Sequence, residues 1–372
     1  MKLVHIGDTH LGFRAYNKTT DYGVNMRQAD VYHSFRRVLD KTAEINPDIV
    51  IIAGDMFHSV RPDNFTVYTT FNALNDFRKK CAAPMFIIGG NHDTPKTSDA
   101  GCILDLYRVI PNIRVVHSES KSLDVPELDL RVYCMPYRTI KDAGTADFTP
   151  ESERKYNVFI LHGTVGDMKR GMHDIYKVDP EILDRFEWDY IALGHIHICE
   201  QVGERAWYSG STDYASTNVW EEAAHPKGFI EYDLDEHKMT FHKIETRKVI
   251  DMPVIDAAKL TAEEVMDAVR ANAEKFDCKD AIVRQVVENI SRSVDNSLDR
   301  SYIKTLRGIA TDFTFTTRKP EESTRKSAVA AGAAVSLEAE WSDFCDDITD
   351  LPAGIDKETF KKMGAEYLEA VK

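Results

Sequence analysis

No apolar run in this chain approaches the roughly 20 residues that a membrane-spanning helix needs, which argues against an integral membrane protein. Paired cysteines are missing too. Cys81, Cys102, Cys134, Cys199, Cys278 and Cys345 are scattered with no CxxC among them. That leaves neither a thiolate metal site nor a disulfide framework, and it points to buried free thiols in a reducing cytoplasm. Positive charge is also scarce: 47 Lys and Arg stand against 61 Asp and Glu, for a net −14. A protein that grips nucleic acid through its overall charge is thereby disfavoured, although bound cations or a local basic patch can supply the field at a single site. The opening Met1-Lys2-Leu3-Val4-His5-Ile6 turns polar too soon for a signal peptide and reads as a buried first strand. No internal repeat is visible.

What is present is an ordinary soluble composition, 43% hydrophobic and 29% charged over 372 residues, enough for two or three domains. Short β-like runs alternate with helical patterns through residue 250. The runs are Lys2–Gly7, Asp48–Ala53, Met85–Ile88, Arg131–Met135, Asn157–Leu161 and Tyr190–Leu193. Near-continuous Val, Ile and Leu in the first three predicts strands covered on both faces. Helices are predicted over Gln28–Ile45, Thr66–Lys80 and Ser98–Val109. Beyond residue 200 the strand-like runs Trp207–Ser209, Gly228–Tyr232 and Lys238–His242 follow. The expected fold class is α/β: a β-sandwich flanked by helices over residues 1–250. Residues 251–317 read as a separate small α/β unit, with a capping box at Thr261-Ala262-Glu263-Glu264 opening a helix to Ala273. Ala281–Ile290 and Asp312–Thr317 are its expected strands, around a second helix at Leu298–Arg307. Residues 318–336 read as a linker, and 337–372 as an acidic helical segment with two amphipathic pieces.

Five strand exits carry metal-ligand residues: Asp8 and His10; Asp55; Asn91; His162; His195 and His197. Imidazole and carboxylate mix without thiolate, a set that suits two divalent ions of the manganese, iron or zinc type. Such a pair can activate a water and clamp a phosphate ester for in-line attack. Each cluster has a bland reading when taken alone. Gly54-Asp55 and Gly89-Gly90-Asn91 are turn-like, and His195 and His197 could lie on opposite faces of one strand. Their conjunction at successive strand ends, where α/β proteins build sites, favours one binuclear pocket. His92, next to Asn91, is better placed as a general acid or as a donor to developing charge. Asp93 is expected to orient its second ring nitrogen. His5 reads as a core residue. His33, His117, His173, His225, His237 and His242 have no partner pattern. The loop Arg14–Lys18 and the pair Arg61-Pro62 could track a phosphate backbone or simply be solvated.

In this order, GDTH, GDMFH, GGNHD, LHG and GHIH resemble the calcineurin-like metallophosphoesterase superfamily. The resemblance implies that Asp8, His10 and His197 bind one ion, with Asp55 bridging. It further implies that Asn91, His162 and His195 hold the second and that His92 is catalytic. The stretches HIGDTHLGFRAYN, AGDMFHSVRP, YIALGHIH and YSGS are most similar to the SbcD-type nuclease subunit of DNA double-strand-break repair. That family implies a Mn²⁺-dependent 3′-to-5′ exonuclease and single-strand or hairpin endonuclease that hydrolyses phosphodiesters with a hydroxide activated by two metals. It also implies a DNA-binding capping domain at 251–317, homodimerisation, and an SMC-like coiled-coil ATPase partner held by 337–372. His58 matches a second histidine near the scissile phosphate, and His92, His58 and Asp93 form the expected catalytic group. Gly7 stands where a Ser is usual; both are small, so the site is expected to survive.

Two other readings stand beside this one. A phosphomonoester or phosphoprotein phosphatase on the same dimetal core would carry GDxxDRG and GNHE, with an Arg for the doubly charged ester. Here Met56-Phe57-His58-Ser59 and Asp93 occupy those places. A non-catalytic ATPase scaffold would have no need for seven intact donors.

Overall fold

The computed structural model describes residues 1–97, 100–143, 149–150, 153–166, 177–184, 187–216, 218–320, 341–342, 344–345, 348 and 355–370. Two compact units divide the chain, Met1–Lys319 and Pro320–Lys372.

In the first unit one six-stranded sheet runs in the order β14 (Lys238–Lys243), β13 (Gly228–Asp233), β1 (Lys2–Ile6), β2 (Ile49–Ile52), β3 (Met85–Ile88) and β4 (Ile113–Val116). β1 to β4 are parallel, and β13 closes on β1 antiparallel. The second sheet runs β11 (Glu200–Gln201), β12 (Ala206–Tyr208), β10 (Tyr190–Gly194), β7 (Tyr156–His162), β6 (Leu130–Met135) and β5 (Lys121–Val125). Its central strands β6, β7, β10 and β12 are parallel. A short parallel pair, β8 (Thr164–Val165) and β9 (Lys177–Val178), lies beside it.

Period-two alternation sorts each strand's side chains into two layers. Leu3, Ile49, Ile51, Phe86 and Ile88 meet Val132, Cys134, Val158, Ile160 and Ala192 in the core between the sheets. Val4, Ile6, Val50, Ile52 and Ile87 face the other way, onto helices α1 (Met26–Ile45) and α2 (Asn64–Lys80) through Val31, Phe35, Leu74 and Phe77. The expected sandwich flanked by helices is the observed architecture.

Local rules account for the helix ends. Asn25 caps α1 by accepting from the backbone of Arg27 and Gln28, and Asn46 ends it in the left-handed region at φ 50°. The helix expected at Ser98–Val109 is instead a 3-10 stretch over Ile103–Val109. Its buried residues Leu104 and Tyr107 are three apart, which suits that tighter winding. Residues 98–99 lie outside the described ones.

Toward the end of the first unit, β15 (Val249–Asp251), β16 (Ile255–Asp256), β17 (Ile282–Glu288) and β18 (Asp312–Thr317) form an all-parallel sheet with its own core. The predicted capping box at Thr261 and Glu264 opens helix α3 (Ala262–Lys275). The second helix, α4 (Ser301–Ile309), starts later than expected, because a separate turn of helix at Arg292–Asn296, capped by Ser291, comes first. Arg247 ties this part to α1: it grips both oxygens of Asp30 at 2.6 and 2.7 Å and donates to Thr311 at 2.9 Å. In the second unit the described residues include helix α5 (Lys357–Ala370), on which the Lys361 carbonyl accepts a 2.9 Å hydrogen bond from Trp341 Nε1. Residues 321–340, most of the expected linker, lie outside the described ones.

Candidate metal centre

The C-terminal ends of β1, β2 and β3 from one sheet and of β7 and β10 from the other open onto one cavity. All seven sequence-predicted donors meet there. His10 Nε2 and His197 Nε2, 187 residues apart, approach to 2.9 Å. Asp8, His10 and His197 form one donor group; Asp55, His162 and His195 form another. Asn91 joins the second, its Oδ1 lying 3.1 Å from His162 Nε2 and 3.0 Å from His195 Nδ1. Asp55 stands between the groups, with Oδ2 at 3.4 Å from His162 Nε2 and 3.7 Å from His10 Nε2. Asp8, His10, Asp55 and His162 are buried, whereas Asn91, His195 and His197 are half-buried, so the pocket opens to solvent.

The backbone is bent to make this possible. Asp8 and His10 (φ 45° each), Asp55 (φ 46°) and His195 (φ 102°) all take positive φ, a conformation that non-glycine residues adopt only when the surroundings over-determine it. Main-chain donors then set the carboxylates. His195 N–H donates to both oxygens of Asp8, at 2.9 and 3.0 Å, and His92 N–H donates to Asp55 Oδ1 at 2.8 Å. Gly54 precedes Asp55 at φ +93°, where a Cβ would come within 2.1 Å of His162 Nδ1. Only glycine allows that ring against the turn.

The donor set fits divalent cations on its own evidence. His162 Nδ1 donates to the Ala53 carbonyl at 2.8 Å, which fixes the tautomer and leaves Nε2 as a lone pair aimed at Asp55 and Asn91. Two imidazole nitrogens each about 2.1 Å from one ion at a right angle lie about 3 Å apart, which is the His10–His197 spacing. The electrostatics call for positive charge as well. Burial opposes ionisation of Asp55, yet the histidines around it hold its carboxyl far below the usual range. Burial likewise opposes a charge on His162, yet Asp55 and Asp8 raise it.

His92 and His58 line the same cavity. His10, His58 and His92 present ring nitrogens within 4.8 Å of one another. Burial and then the neighbouring His92 lower the His58 imidazole below its usual range. The expected role of Asp93 needs correction. Its Oδ2 accepts from Met56 N–H at 2.7 Å and Phe57 N–H at 3.3 Å, and its Oδ1 accepts from Gly90 N–H at 2.8 Å. It therefore braces two strand-exit loops against each other. The His92 ring is oriented instead by the His58 carbonyl oxygen, 3.1 Å from Nδ1. With backbone N–H groups on both of its oxygens, the Asp93 carboxyl is turned to the loops and not to the ring.

Residues 1–199 match the sequence family described as Calcineurin-like phosphoesterase. The chain belongs to the calcineurin-like phosphoesterase family. Curated relatives similar to this chain carry the name DNA double-strand break repair protein Mre11. The one from Methanococcus maripaludis is 27% identical over 326 residues, covering 80% of this chain and 81% of the relative. The one from Methanocaldococcus jannaschii is 27% identical over 278 residues, covering 69% of this chain and 70% of the relative.

Within this phosphoesterase site, two residues escaped the sequence reading. Glu222 Oε1 lies 3.3 Å from His197 Nδ1, and buried Lys227 pairs with the other Glu222 oxygen. Burial would raise the Glu222 carboxyl, but the hydrogen bond from His197 and the charge of Lys227 hold it at about 2. In the sequence both sit among Trp220-Glu221-Glu222 and Pro226-Lys227, which look like a solvated surface run; no spacing rule marks them. The cations of the Arg14–Lys18 loop are engaged within the protein. Arg14 bonds Gln28 at 2.9 Å and Asp63 at 3.0 Å, and Lys18 bonds the Ala310 carbonyl. His5 is buried in the core, as expected. His117 and His242 pair with Asp105 and Glu231, and His173 lies outside the described residues.

Proposed function

We propose that this protein is a metal-dependent DNA nuclease of the double-strand-break-repair type, using two divalent ions, Mn²⁺ foremost. The reading rests on one observation: seven nitrogen and oxygen donors and two further histidines, His92 and His58, face a single solvent-open pocket. Asp8, His10 and His197 would hold one ion, Asn91, His162 and His195 the other, with Asp55 between them. Bound there, the ions would supply Lewis acidity to a phosphodiester and lower the pKa of an attacking water. His92, its Nδ1–H committed to the His58 carbonyl, would use Nε2 for proton transfer, giving a proton to the departing sugar oxygen from the doubly protonated ring and ending as the neutral Nδ1–H tautomer. His58 stacks on His92 with ring centroids 5.1 Å apart and limits its rotation toward the cavity. Asp93 supports the loops rather than the proton transfer.

DNA is favoured as substrate by the printed names of the Mre11 relatives. A diester is favoured over a monoester because Met56 and Phe57 are buried in the core and His58, not an arginine, faces the pocket from that loop. The further assignments are 3′-to-5′ exonuclease action on double-strand ends and endonuclease action on single strands and hairpins. Residues 251–317 would act as a DNA-binding cap and 318–336 as a linker, and 337–372 would hold an SMC-like ATPase. Met363 and Tyr367 on α5, 64% and 73% exposed, supply an apolar surface for that partner. Exposed Phe65, Tyr68, Leu106 and Val109 supply one for a homodimer. The free cysteines suit a reducing, cytoplasmic setting.

The test is incubation of the full chain with Mn²⁺ and, separately, linear DNA, a phosphodiester reporter and a phosphoserine peptide. Cleavage of the first two, abolished by EDTA, is expected. Phosphopeptide turnover with intact DNA would replace this reading with the phosphatase.

A further inference from the structure

His10 presents both of its ring nitrogens to other imidazoles. Nε2 lies 2.9 Å from His197 Nε2, on the side of the donor group that Asp8 completes. Nδ1 lies 3.3 Å from His58 Nδ1. The two spacings suit different coordination. Nitrogens about 2.1 Å from one ion stand about 3 Å apart at an octahedral angle and about 3.4 Å apart at a tetrahedral one. The His10–His58 spacing is close to the second value. His92 supplies a third imidazole, and the three rings bring nitrogens within 4.8 Å of one another. Its Nδ1 is held by the His58 carbonyl oxygen at 3.1 Å, so Nε2 is the nitrogen that an ion would use.

The donor groups also differ in kind. Asp8 puts a carboxylate beside His10 and His197, and Asp55 with Asn91 puts oxygens beside His162 and His195. The group of His10, His58 and His92 is imidazole alone. Oxygen ligands suit manganese, whereas imidazole suits zinc and copper, which also exceed manganese in affinity for a given site. Three histidines with a fourth position left to water is a recurrent zinc arrangement. The rings are well supported. His58 stacks on His92 with centroids 5.1 Å apart, and Phe13 packs edge-on against His58 at 5.0 Å. Both His58 and His92 are half-buried, so an ion can reach them from solvent.

We propose that His10 Nδ1, His58 and His92 form a third cation site, selective for zinc-type ions over Mn²⁺, and that filling it switches the nuclease off. The switching rests on the two-ion reading above, in which His92 gives a proton to the departing oxygen; the binding does not. An imidazole that ligates through both nitrogens has lost its ring proton, and here that proton passes to solvent as the ion enters. His10 then bridges the Asp8–His10–His197 group and the third site. With Nε2 on the ion, His92 carries no proton there for the leaving group, and DNA cleavage should fall by about 10²- to 10⁴-fold.

The experiment counts ions on the full chain by native mass spectrometry, with Mn²⁺ and Zn²⁺ titrated separately. Two Mn²⁺ but three Zn²⁺ per chain are expected. Co²⁺ in place of Zn²⁺ should add the intense visible absorption of a tetrahedral site. His58→Phe keeps a ring against His92 and Phe13 but removes its nitrogens, so it should bind two ions of either metal and lack that absorption. If circular dichroism shows this variant unfolded, His58→Leu takes its place with the same expectation. In saturating Mn²⁺, DNA cleavage by wild type should fall as added Zn²⁺ brings the count to three. Two Zn²⁺ on wild type would overturn the site and leave the His10–His58 contact a hydrogen bond between two rings. Three Zn²⁺ on the folded variant would overturn it as well. Loss of cleavage at two ions per chain would overturn the switch, because zinc would then act by substitution. Should wild type take up no pair of Mn²⁺ ions, the two-ion reading falls, and a zinc ion lost with His58 would still identify this site.

Discussion

His92 and His58 lie nearly parallel, their ring planes 28° apart, while the His92 Nδ1 proton goes to the His58 main-chain oxygen. One loop thus both stacks on the His92 ring and sets its tautomer. The ring is held at the cavity without being drawn into either donor group, which is where a proton donor should stand relative to ligands. Replacing His92 by Ala should cut the rate of DNA cleavage by about 10²- to 10⁴-fold and leave two ions per chain by elemental analysis. His197→Ala should instead lose bound metal. Equal metal loss in the two variants would show that His92 is a ligand.

Gly54 is packed directly against the ring of a donor histidine. Replacement by Ala puts a methyl on His162 Nδ1 and holds a residue at φ +93° that alanine resists. The backbone term alone costs about 1–3 kcal/mol, and the displaced ring should lower metal affinity as well. Thermal melting with and without Mn²⁺ separates the two effects; an unchanged metal-induced shift would mean His162 is not a ligand.

The departure at Gly7 turns out to be a matched pair. A Cβ there would meet Ser209 Oγ at 2.6 Å, and Ser209 is fully buried. The sequence expectation was that the site survives with glycine at this place, since both residues are small; the collision concerns the reverse change, a Ser put beside Ser209. Gly7→Ser should destabilise by about 1–3 kcal/mol, the usual cost of overpacking. Adding Ser209→Ala should recover most of that loss, because the colliding oxygen is gone. Additive effects in the double-mutant cycle would refute the pairing.

His5 carries a pH dependence. Unfolded, its imidazole takes a proton near the usual 6.5, whereas burial lowers it to about 3 in the fold. Between those values only the unfolded chain binds the proton, so stability falls as pH falls through that window. The slope is at most about 1.4 kcal/mol per pH unit from this one group. His5→Gln, which keeps a partner for the Tyr190 hydroxyl 3.0 Å away, should flatten the denaturation profile between pH 6.5 and pH 4. A parallel profile for the two proteins would assign the acid sensitivity elsewhere.

Much of this was legible before folding was considered. The runs at β1, β2 and β3 are rich in Val, Ile and Leu, broken by Lys2, His5, Met85 and Phe86, as expected of short strands buried on both faces. Their Gly-flanked exits announced donors, and Thr261 with Glu264 announced a helix start that the fold repeats. The 3-10 stretch at Ile103–Val109 was misread because apolar residues three apart serve either winding. The role of Asp93 was misread because adjacency in sequence says nothing about where a carboxylate turns when three backbone N–H groups lie closer.

The sequence by itself determined the strand-and-helix pattern, the seven candidate donors and the family, since these follow from local periodicity and short motifs. Tertiary structure alone decided that β7 and β10 belong to a different sheet from β1, β2 and β3, and so which imidazoles come within reach of one another. It also decided that Glu222 and Lys227 stand behind His197 and that Ser209 fills the space beside Gly7. Those contacts are fixed by sheet packing and register over separations of up to about 200 residues, and no pattern along the chain encodes a distance across it.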